Sequence, residues 1–186
     1  MYSVLESFYD GFHYSGDGYH GRLIPVEYHG WYTFGICRNP YSLAVSIWRA
    51  TTARTIAYTC SWKFAEIARD RRFPAFARVI ADVDWTSAGC QEIDPTLMAM
   101  PQTVWFAPVA GRLGVVLQVE NLDHDCKRLP FWVGPEHLPR AANILHHIGP
   151  PWREYYRDSG TVKAIQKWAG RDFETFGYDE NSYKLP

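Results

Sequence analysis

The stretch TFGICRNPYSLAVSIWR, residues 33–49, decides the fold. The overlapping segment from Trp31 to Cys37 alternates and is rich in aromatic and β-branched residues, which is typical of a strand. Pro40 ends this strand and favours the first turn of a helix, because proline has no backbone N–H to donate and its φ is already helical. Arg38 is therefore predicted to lie in a turn between a strand and a helix. The apolar residues of that helix have helical spacing: Leu43, Ala44, Ile47 and Trp48.

The remaining chain alternates between helical and strand patterns. GVVLQVE, residues 114–120, is a second apolar strand, and Gly177 is the predicted stop of a C-terminal helix that begins near Thr161. SAGCQEIDPTLMAMPQ, residues 87–102, favours a long irregular connection. Together these patterns predict an α/β fold, with a central parallel sheet flanked by helices in one domain spanning 1–186. Further helices are predicted over 1–12, 62–70 and 73–85, and a glycine-rich exposed loop over 11–21.

The composition limits which partners are expected. The 186 residues are 47% hydrophobic and 16% aromatic, which is enough for one domain with a sizeable core. Nineteen basic against twenty acidic residues give a net charge of -1, so neither nucleic acid nor an anionic membrane is an expected partner. The sequence has no apolar run approaching the ~18–20 residues of a membrane span, and it lacks the basic start of a secretory signal.

Cysteine usage points to a reducing compartment. The four cysteines are widely spaced, without a Cys-x-x-Cys pair or a histidine cluster beside them. This spacing does not suit a zinc site, so no metal is expected and the cysteines are interpreted as thiols. Thiols fit a cytoplasmic setting, where disulfides are rare.

Arg38 and Ser46 are candidate ligands for an anion. A side chain at the carboxyl end of a parallel strand points into the crevice where α/β folds bind ligands, and the N–H groups that start the next helix favour an anion. The Arg38 guanidinium would fork onto two phosphate oxygens, and the Ser46 hydroxyl, about two helical turns on, would donate a third bond. The alternative is structural, with a surface arginine in an ion pair and a helical serine that binds nothing.

The segment FGICRNPYSLAVS resembles the strand, turn and helix that bind the 3′-phosphate of PAPS (3′-phosphoadenosine 5′-phosphosulfate) in the sulfotransferase superfamily, in the branch of the carbohydrate sulfotransferases. Arg38 and Ser46, eight residues apart, match that pattern residue by residue. The resemblance covers nearly the whole chain. Three more segments resemble family motifs in the same order: MPQTVWF at 100–106, VLQVENLDHDCKRL at 116–129 and REYYRDSGTVKAIQKWAGRDFETFGY at 153–178.

This resemblance implies a P-loop-NTPase-like sulfotransferase fold and transfer of a sulfuryl group from PAPS to a hydroxyl of a carbohydrate or small-molecule acceptor. No metal is required if Lys and Arg supply the positive charge. The family's P-loop-like segment, which holds the 5′-phosphosulfate, has no counterpart in the sequence. MYSVLESFYD, residues 1–10, resembles the helix that follows this loop. We therefore expect that the first strand and the loop are missing because the start of the sequence is trimmed or misassigned. The alternative is that the protein has lost them.

The resemblance also implies a catalytic base, since the family's carbohydrate enzymes often place a histidine between the loop helix and the arginine strand. His20 lies in that position, and an imidazole is suited to take the proton of an acceptor hydroxyl. His13 and His29 are competing histidines. Glu27 is the nearby carboxylate if a glutamate acts instead, as in some family members.

Four other polar residues have predicted roles. Arg22 is a substrate candidate that would neutralise the sulfonate or an acidic acceptor, and Gln102 is a candidate for contact with the acceptor. Glu120 and Asp125 are interpreted as structural, since a carboxylate at a strand end commonly holds backbone amides or arginine side chains.

Two other functions stay open at this point. The chain is alternatively a catalytically inactive relative that kept the fold and one phosphate site and binds a nucleotide or a protein. A weaker alternative is a P-loop kinase-like phosphotransferase, which needs a phosphate loop and a magnesium-binding carboxylate. The spacing from Arg38 to Ser46 suits the sulfotransferase better than the kinase.

Overall fold

A computed structural model describes residues 30–52, 72–85, 99–134 and 149–184. These residues divide into two compact units. The first lies within Met1–Cys37 and Pro108–Pro150, and the second within Arg38–Ala107 and Pro151–Pro186. The fold is α/β, as the alternating patterns predict, and the expectation of one domain over the whole chain stays a prediction.

The elements of the described ranges are named here in chain order. The strands are β1 (Thr33–Cys37) and β2 (Leu113–Gln118). The α-helices are α1 (Pro40–Thr52), α2 (Phe73–Ala81), α3 (Gln102–Phe106), α4 (Leu122–Asp125) and α5 (Ser159–Phe176). None of these described helices is long and apolar enough to cross a membrane. Outside the described residues lie the predicted helices over 1–12 and 62–70, the loop over 11–21 and the connection over 87–98.

The first unit is built on a two-stranded parallel sheet. β1 and β2 pair so that Cys37 lies opposite Gln118 at the carboxyl ends of the strands. The predicted strand over 114–120 is confirmed but ends at Gln118, because the chain turns into a 3₁₀ helix at Val119. Alternate residues of β2 are buried, as expected for a strand with one covered face. A small apolar core contains Val115, Leu117, Cys126 and Leu129.

The second unit is a helical layer around an aromatic-rich core. Helix α5 is amphipathic, and the apolar residues that recur at three- and four-residue intervals between Val162 and Phe173 are all buried. The faces of α1 and α2 contribute to the same core. From α5 come Val162, Ile165, Trp168, Ala169 and Phe173; from α2 come Phe73, Phe76, Ala77 and Ile80; from α1 come Tyr41, Ala44, Val45 and Ile47.

Helix α2 is shorter than the pattern over 73–85 predicts. It ends at Ala81, where the backbone N–H of Asp82 bonds back to the helix. Trp85 then folds back and is buried, with its indole Nε1 donating to the carbonyl of Ile80 at 2.9 Å. The apolar pattern thus continues past the helix because Trp85 reaches the same core from a turn.

Both ends of α5 have side-chain or glycine caps. The helix begins at Ser159, two residues before the predicted start, because the Asp158 carboxylate accepts from the backbone N–H of Thr161 at 2.8 Å. It ends at Phe176, as predicted, and Gly177 follows in the left-handed conformation with φ of 70°. A residue with a Cβ is strained at that φ, so the backbone favours glycine there.

Two buried tyrosines join the start of α1 to the end of the chain. Tyr41 is fully buried, and its hydroxyl donates to the carbonyl of Glu180 at 2.7 Å. Tyr156 donates its own hydroxyl to the carbonyl of Tyr41 at 2.6 Å, and burial raises the pKa of Tyr156 well above its ordinary value. Burial also raises the pKa of Tyr41, so both phenols remain donors at physiological pH.

Substituting two glycines of the C-terminal region by alanine should have opposite effects on stability. Gly177→Ala should lower the free energy of unfolding by about 1 kcal/mol, because alanine is strained at positive φ. Gly170→Ala should raise it by about 0.5 kcal/mol: α5 is kinked at the preceding residue, Ala169 (φ of −120°), but the φ of Gly170 is not positive, so alanine fits there and lowers the entropy of the unfolded chain. An added Cβ meets no atom within 4 Å at either position. Urea unfolding measures both, and equal signs would contradict the assigned backbone conformations.

Removing the Tyr156 hydroxyl should destabilise the second unit. Tyr156→Phe leaves the buried Tyr41 carbonyl without this donor, which should cost about 1–2 kcal/mol in urea unfolding. Tyr32→Phe is the matched control, because Tyr32 is 45% exposed and should change stability by less than about 0.5 kcal/mol. If the two substitutions cost the same, the buried hydrogen bond does not contribute as proposed.

Candidate functional site

The turn after β1 is organised by its own sequence, Arg38-Asn39-Pro40. The Asn39 side chain accepts from the backbone N–H of Tyr41 at 3.0 Å, and its carbonyl accepts from Leu43 at 2.8 Å. Asparagine is among the best residues for this capping position, and proline is well suited to the one after it. Helix α1 therefore begins at Pro40 for local reasons, and Arg38 lies in the turn between strand and helix as predicted.

Arg38 is fixed by both its backbone and its side chain. Its N–H donates to Gln102 Oε1 at 2.7 Å, and its carbonyl accepts from Gln102 Nε2 at 2.8 Å. Its side-chain Nε donates to the hydroxyl of Ser42 at 2.7 Å. The guanidinium is thus anchored beside the first turn of α1.

Asp172 of α5 secures the start of α3. Its carboxylate is fully buried and accepts from the backbone N–H groups of Gln102 and Thr103, each at 2.8 Å. The Thr103 hydroxyl donates to it as well, at 2.7 Å. A buried carboxylate needs several donors to offset the loss of water, and these three meet that need. Gln102 is thereby held where its side chain reaches Arg38.

Ser46 lies on the same side of α1 as the anchored guanidinium. Ser42 and Ser46 are one turn apart, about 6 Å along the axis, so their side chains share a face. Arg38 bonds to Ser42, and Ser46 is half-buried on the next turn. Arg38 and Ser46 are therefore brought to one face of α1, in order along its first two turns.

The other predicted site residues divide into two groups. His20 and Arg22 lie outside the described residues, as do His13, His29 and Glu27, so their roles stay predictions. Gln102 is described and is 9% exposed. Its amide bonds to the backbone of Arg38, whereas its contact with an acceptor stays a prediction.

Asp125 has the structural role that the sequence suggests. Its carboxylate accepts from the backbone N–H of Gln118, the last residue of β2, at 2.8 Å. Arg128 lies 3.9 Å from the same carboxylate and His124 3.3 Å from it. The hydrogen bond from Gln118 lowers the pKa of Asp125 below its usual range, aided by His124 and Arg128. Glu120 is exposed.

Sequence reasoning missed Asp172, Ser42 and the capping role of Asn39. A signal for Asp172 was present, because it lies between Trp168 and Phe173 on the apolar face of α5. A carboxylate is rarely buried without partners, so its place on that face indicates an internal polar contact. Nothing in the sequence identifies which donors it meets.

In the ranges that the structure describes, no three histidine, cysteine, aspartate or glutamate side chains lie close enough together to hold a metal ion. Cys37 and Cys126 are buried thiols. Comparisons with protein families, with curated proteins and with solved structures found no match for the chain.

The stabilisation from Asp125 should depend on pH. Its pKa is lowered by folding, so the contribution is complete above the unfolded-state value of about 3.9 and is lost as pH falls through the lower folded value. Asp125→Asn should therefore be less stable than the natural chain near neutral pH, and the difference should shrink below about pH 4. Urea unfolding between pH 3 and 7 measures this difference.

The control is Asp82→Asn, which removes an exposed carboxylate that pairs with Lys167 on the surface. It should change the free energy of unfolding by less than about 1 kcal/mol. A difference for Asp125→Asn that stays constant over the whole pH range would contradict the assignment.

Proposed function

We propose that the protein is a PAPS-dependent sulfotransferase in which Arg38 and Ser46 hold the 3′-phosphate of the nucleotide. The observation that carries the proposal is the fixed position of Arg38. It directly follows β1 and is anchored to Ser42, one turn before Ser46 on the same face of α1. The sulfotransferase pattern requires this pair of residues at this spacing, and the chain supplies both.

The chemistry of these donors fits a phosphate. A guanidinium is permanently charged and binds two oxygens of one phosphate in parallel, and charge-assisted hydrogen bonds are about twice as strong as neutral ones. The hydroxyl on the short side chain of serine donates one more hydrogen bond to the phosphate. Arg38 lies just before the first turn of the 13-residue helix α1, where the helix dipole also favours negative charge, and Ser46 lies in the second turn. The net charge of -1 means that such an anion is held by local groups rather than by the field of the whole protein.

The proposed reaction moves a sulfuryl group to a hydroxyl of a carbohydrate or another small molecule. PAPS supplies that group when it is bound. His20 takes the proton of the acceptor hydroxyl, and Arg22 neutralises charge on the sulfonate or the acceptor. Arg38 and Ser46 orient the nucleotide by its 3′-phosphate. Positioned positive charge suffices for this chemistry, so the proposal involves no metal.

The finer fold and the setting belong to the same proposal. We propose that the parallel pair β1 and β2 is part of the larger parallel sheet of a P-loop-NTPase-like sulfotransferase fold. The turn at Arg38 then lies at the carboxyl end of a sheet strand, where such folds bind nucleotides. We place the activity in the cytoplasm, since buried thiols such as Cys37 and Cys126 suit a reducing compartment.

The test is calorimetric titration of PAP, the nucleotide product, into the natural chain and two variants. Arg38→Ala should weaken PAP binding by more than about tenfold, because it removes charged hydrogen bonds to the phosphate. Ser46→Ala removes one neutral donor and should weaken it by about fivefold. PAP should bind without magnesium and in preference to ADP, whereas a kinase-like protein prefers ADP with magnesium.

Two controls make the test specific. Adenosine 5′-phosphate lacks the 3′-phosphate, so its affinity should not change in Arg38→Ala. Arg157→Ala removes an exposed arginine that pairs with Glu154, and it should leave PAP binding unchanged. If Arg38→Ala and Arg157→Ala bind PAP as tightly as the natural chain does, the assignment of the phosphate site is wrong.

A further inference from the structure

We propose that Gln102 is the positioning residue for Arg38, holding the arginine in the orientation that the phosphate requires, and that Asp172 in turn holds Gln102. This inference rests on the proposed function, because it needs Arg38 to bind the nucleotide. It assigns Gln102 a role in which its side chain acts on nucleotide binding through Arg38 rather than by contact with the 3′-phosphate.

The first step is the two-point pairing of Gln102 with Arg38. One carboxamide accepts from the N–H and donates to the carbonyl of the same residue, at 2.7 and 2.8 Å. Arg38 is the first residue after β1, where the pairing with β2 has ended. The amide therefore takes the place of a strand neighbour and fixes the backbone at the point where the guanidinium side chain leaves it.

The second step is that Gln102 has little freedom of its own. Its backbone N–H donates to Asp172 at 2.8 Å, and its Nε2 lies 3.4 Å from the same carboxylate oxygen. Gln102 is 9% exposed and Asp172 is fully buried, so water cannot readily replace either partner. Helix α5 thus fixes the position of the Arg38 backbone, through Asp172 and Gln102.

The third step concerns the choice of an amide. The Gln102 Oε1 accepts from the N–H of Arg38, and its Nε2 donates to the carbonyl of Arg38 and to the carboxylate of Asp172. A glutamate of the same shape would set an oxygen against the carbonyl of Arg38 and against Asp172, leaving these oxygens facing one another without a proton. Only glutamine has both functions at this length.

A double-mutant cycle on PAP affinity tests the positioning role. Gln102→Met keeps the length of the side chain but removes both hydrogen bonds to Arg38. It should weaken PAP binding by about tenfold in the natural chain, an ordinary coupling between residues in direct contact. In the Arg38→Ala background it should cause no further loss, because there is no guanidinium left to position. Gln102→Glu should weaken binding at least as much as Gln102→Met.

The matched control is Tyr156→Phe. It also removes a buried hydrogen bond to the backbone near the start of α1, but at Tyr41 rather than Arg38. It should lower stability and leave PAP affinity within about twofold of the natural chain. A purely structural role for Gln102 would make the two substitutions behave alike.

The outcomes separate the two proposals. If Arg38→Ala does not weaken PAP binding, the proposed function fails and the positioning role fails with it. If Arg38→Ala does weaken PAP binding, two results would overturn the positioning role alone. The first is that Gln102→Met lowers PAP affinity by the same factor in the natural chain and in Arg38→Ala, and the second is that it lowers PAP affinity in neither. Urea unfolding of each variant establishes that it is folded. Should Gln102→Met not fold, Gln102→Asn, which is too short to reach both backbone groups, carries the same cycle with the same expected result.

Discussion

The buried carboxylate of Asp172 ties helix α5 to the start of helix α3 in the second unit. A charge removed from water must find donors nearby, and here they are the first two backbone N–H groups of α3 and the hydroxyl of Thr103. Because α5 carries Asp172, the packing of its apolar face also determines where α3 begins. Gln102 then extends the constraint to Arg38 through its side chain. One packed helix thereby sets the backbone of a turn that is distant in sequence.

Two sets of interactions fix the start of α1, one local and one with residues distant in sequence. Asn39 and Pro40 favour a helix start without help from the rest of the chain, since the asparagine caps the helix and the proline suits its first turn. The same asparagine donates to Ser182 at 2.8 Å, and the Tyr41 hydroxyl donates to Glu180. Agreement between local preference and tertiary contact is what makes a turn well defined in one conformation.

Local features of this chain could be predicted from the sequence, whereas distant pairings could not. The strand before Arg38, the helix from Pro40 and the glycine stop at Gly177 follow from hydrophobic spacing and from residues with strong backbone preferences. The predicted end of α2 was wrong, because the apolar pattern is the same whether Trp85 continues the helix or folds back onto the core from a turn. Which side chain reaches Asp172 depends on packing across 70 positions, and spacing carries no such information.

The contact between Gln102 and Asp172 also affects when the turn at Arg38 can reach its folded structure during synthesis. A chain emerges from the ribosome N-terminus first, at about 5–20 residues per second, and packs as its segments become available. Gln102 leaves the ribosome 70 positions ahead of Asp172, which braces it, and Arg38 leaves 64 positions ahead of Gln102. For several seconds the nascent chain therefore has the arginine but not the scaffold around it. The turn at Arg38 therefore reaches its described conformation only after α5 has been synthesised and has packed, so the structure of this early segment depends on a helix made much later.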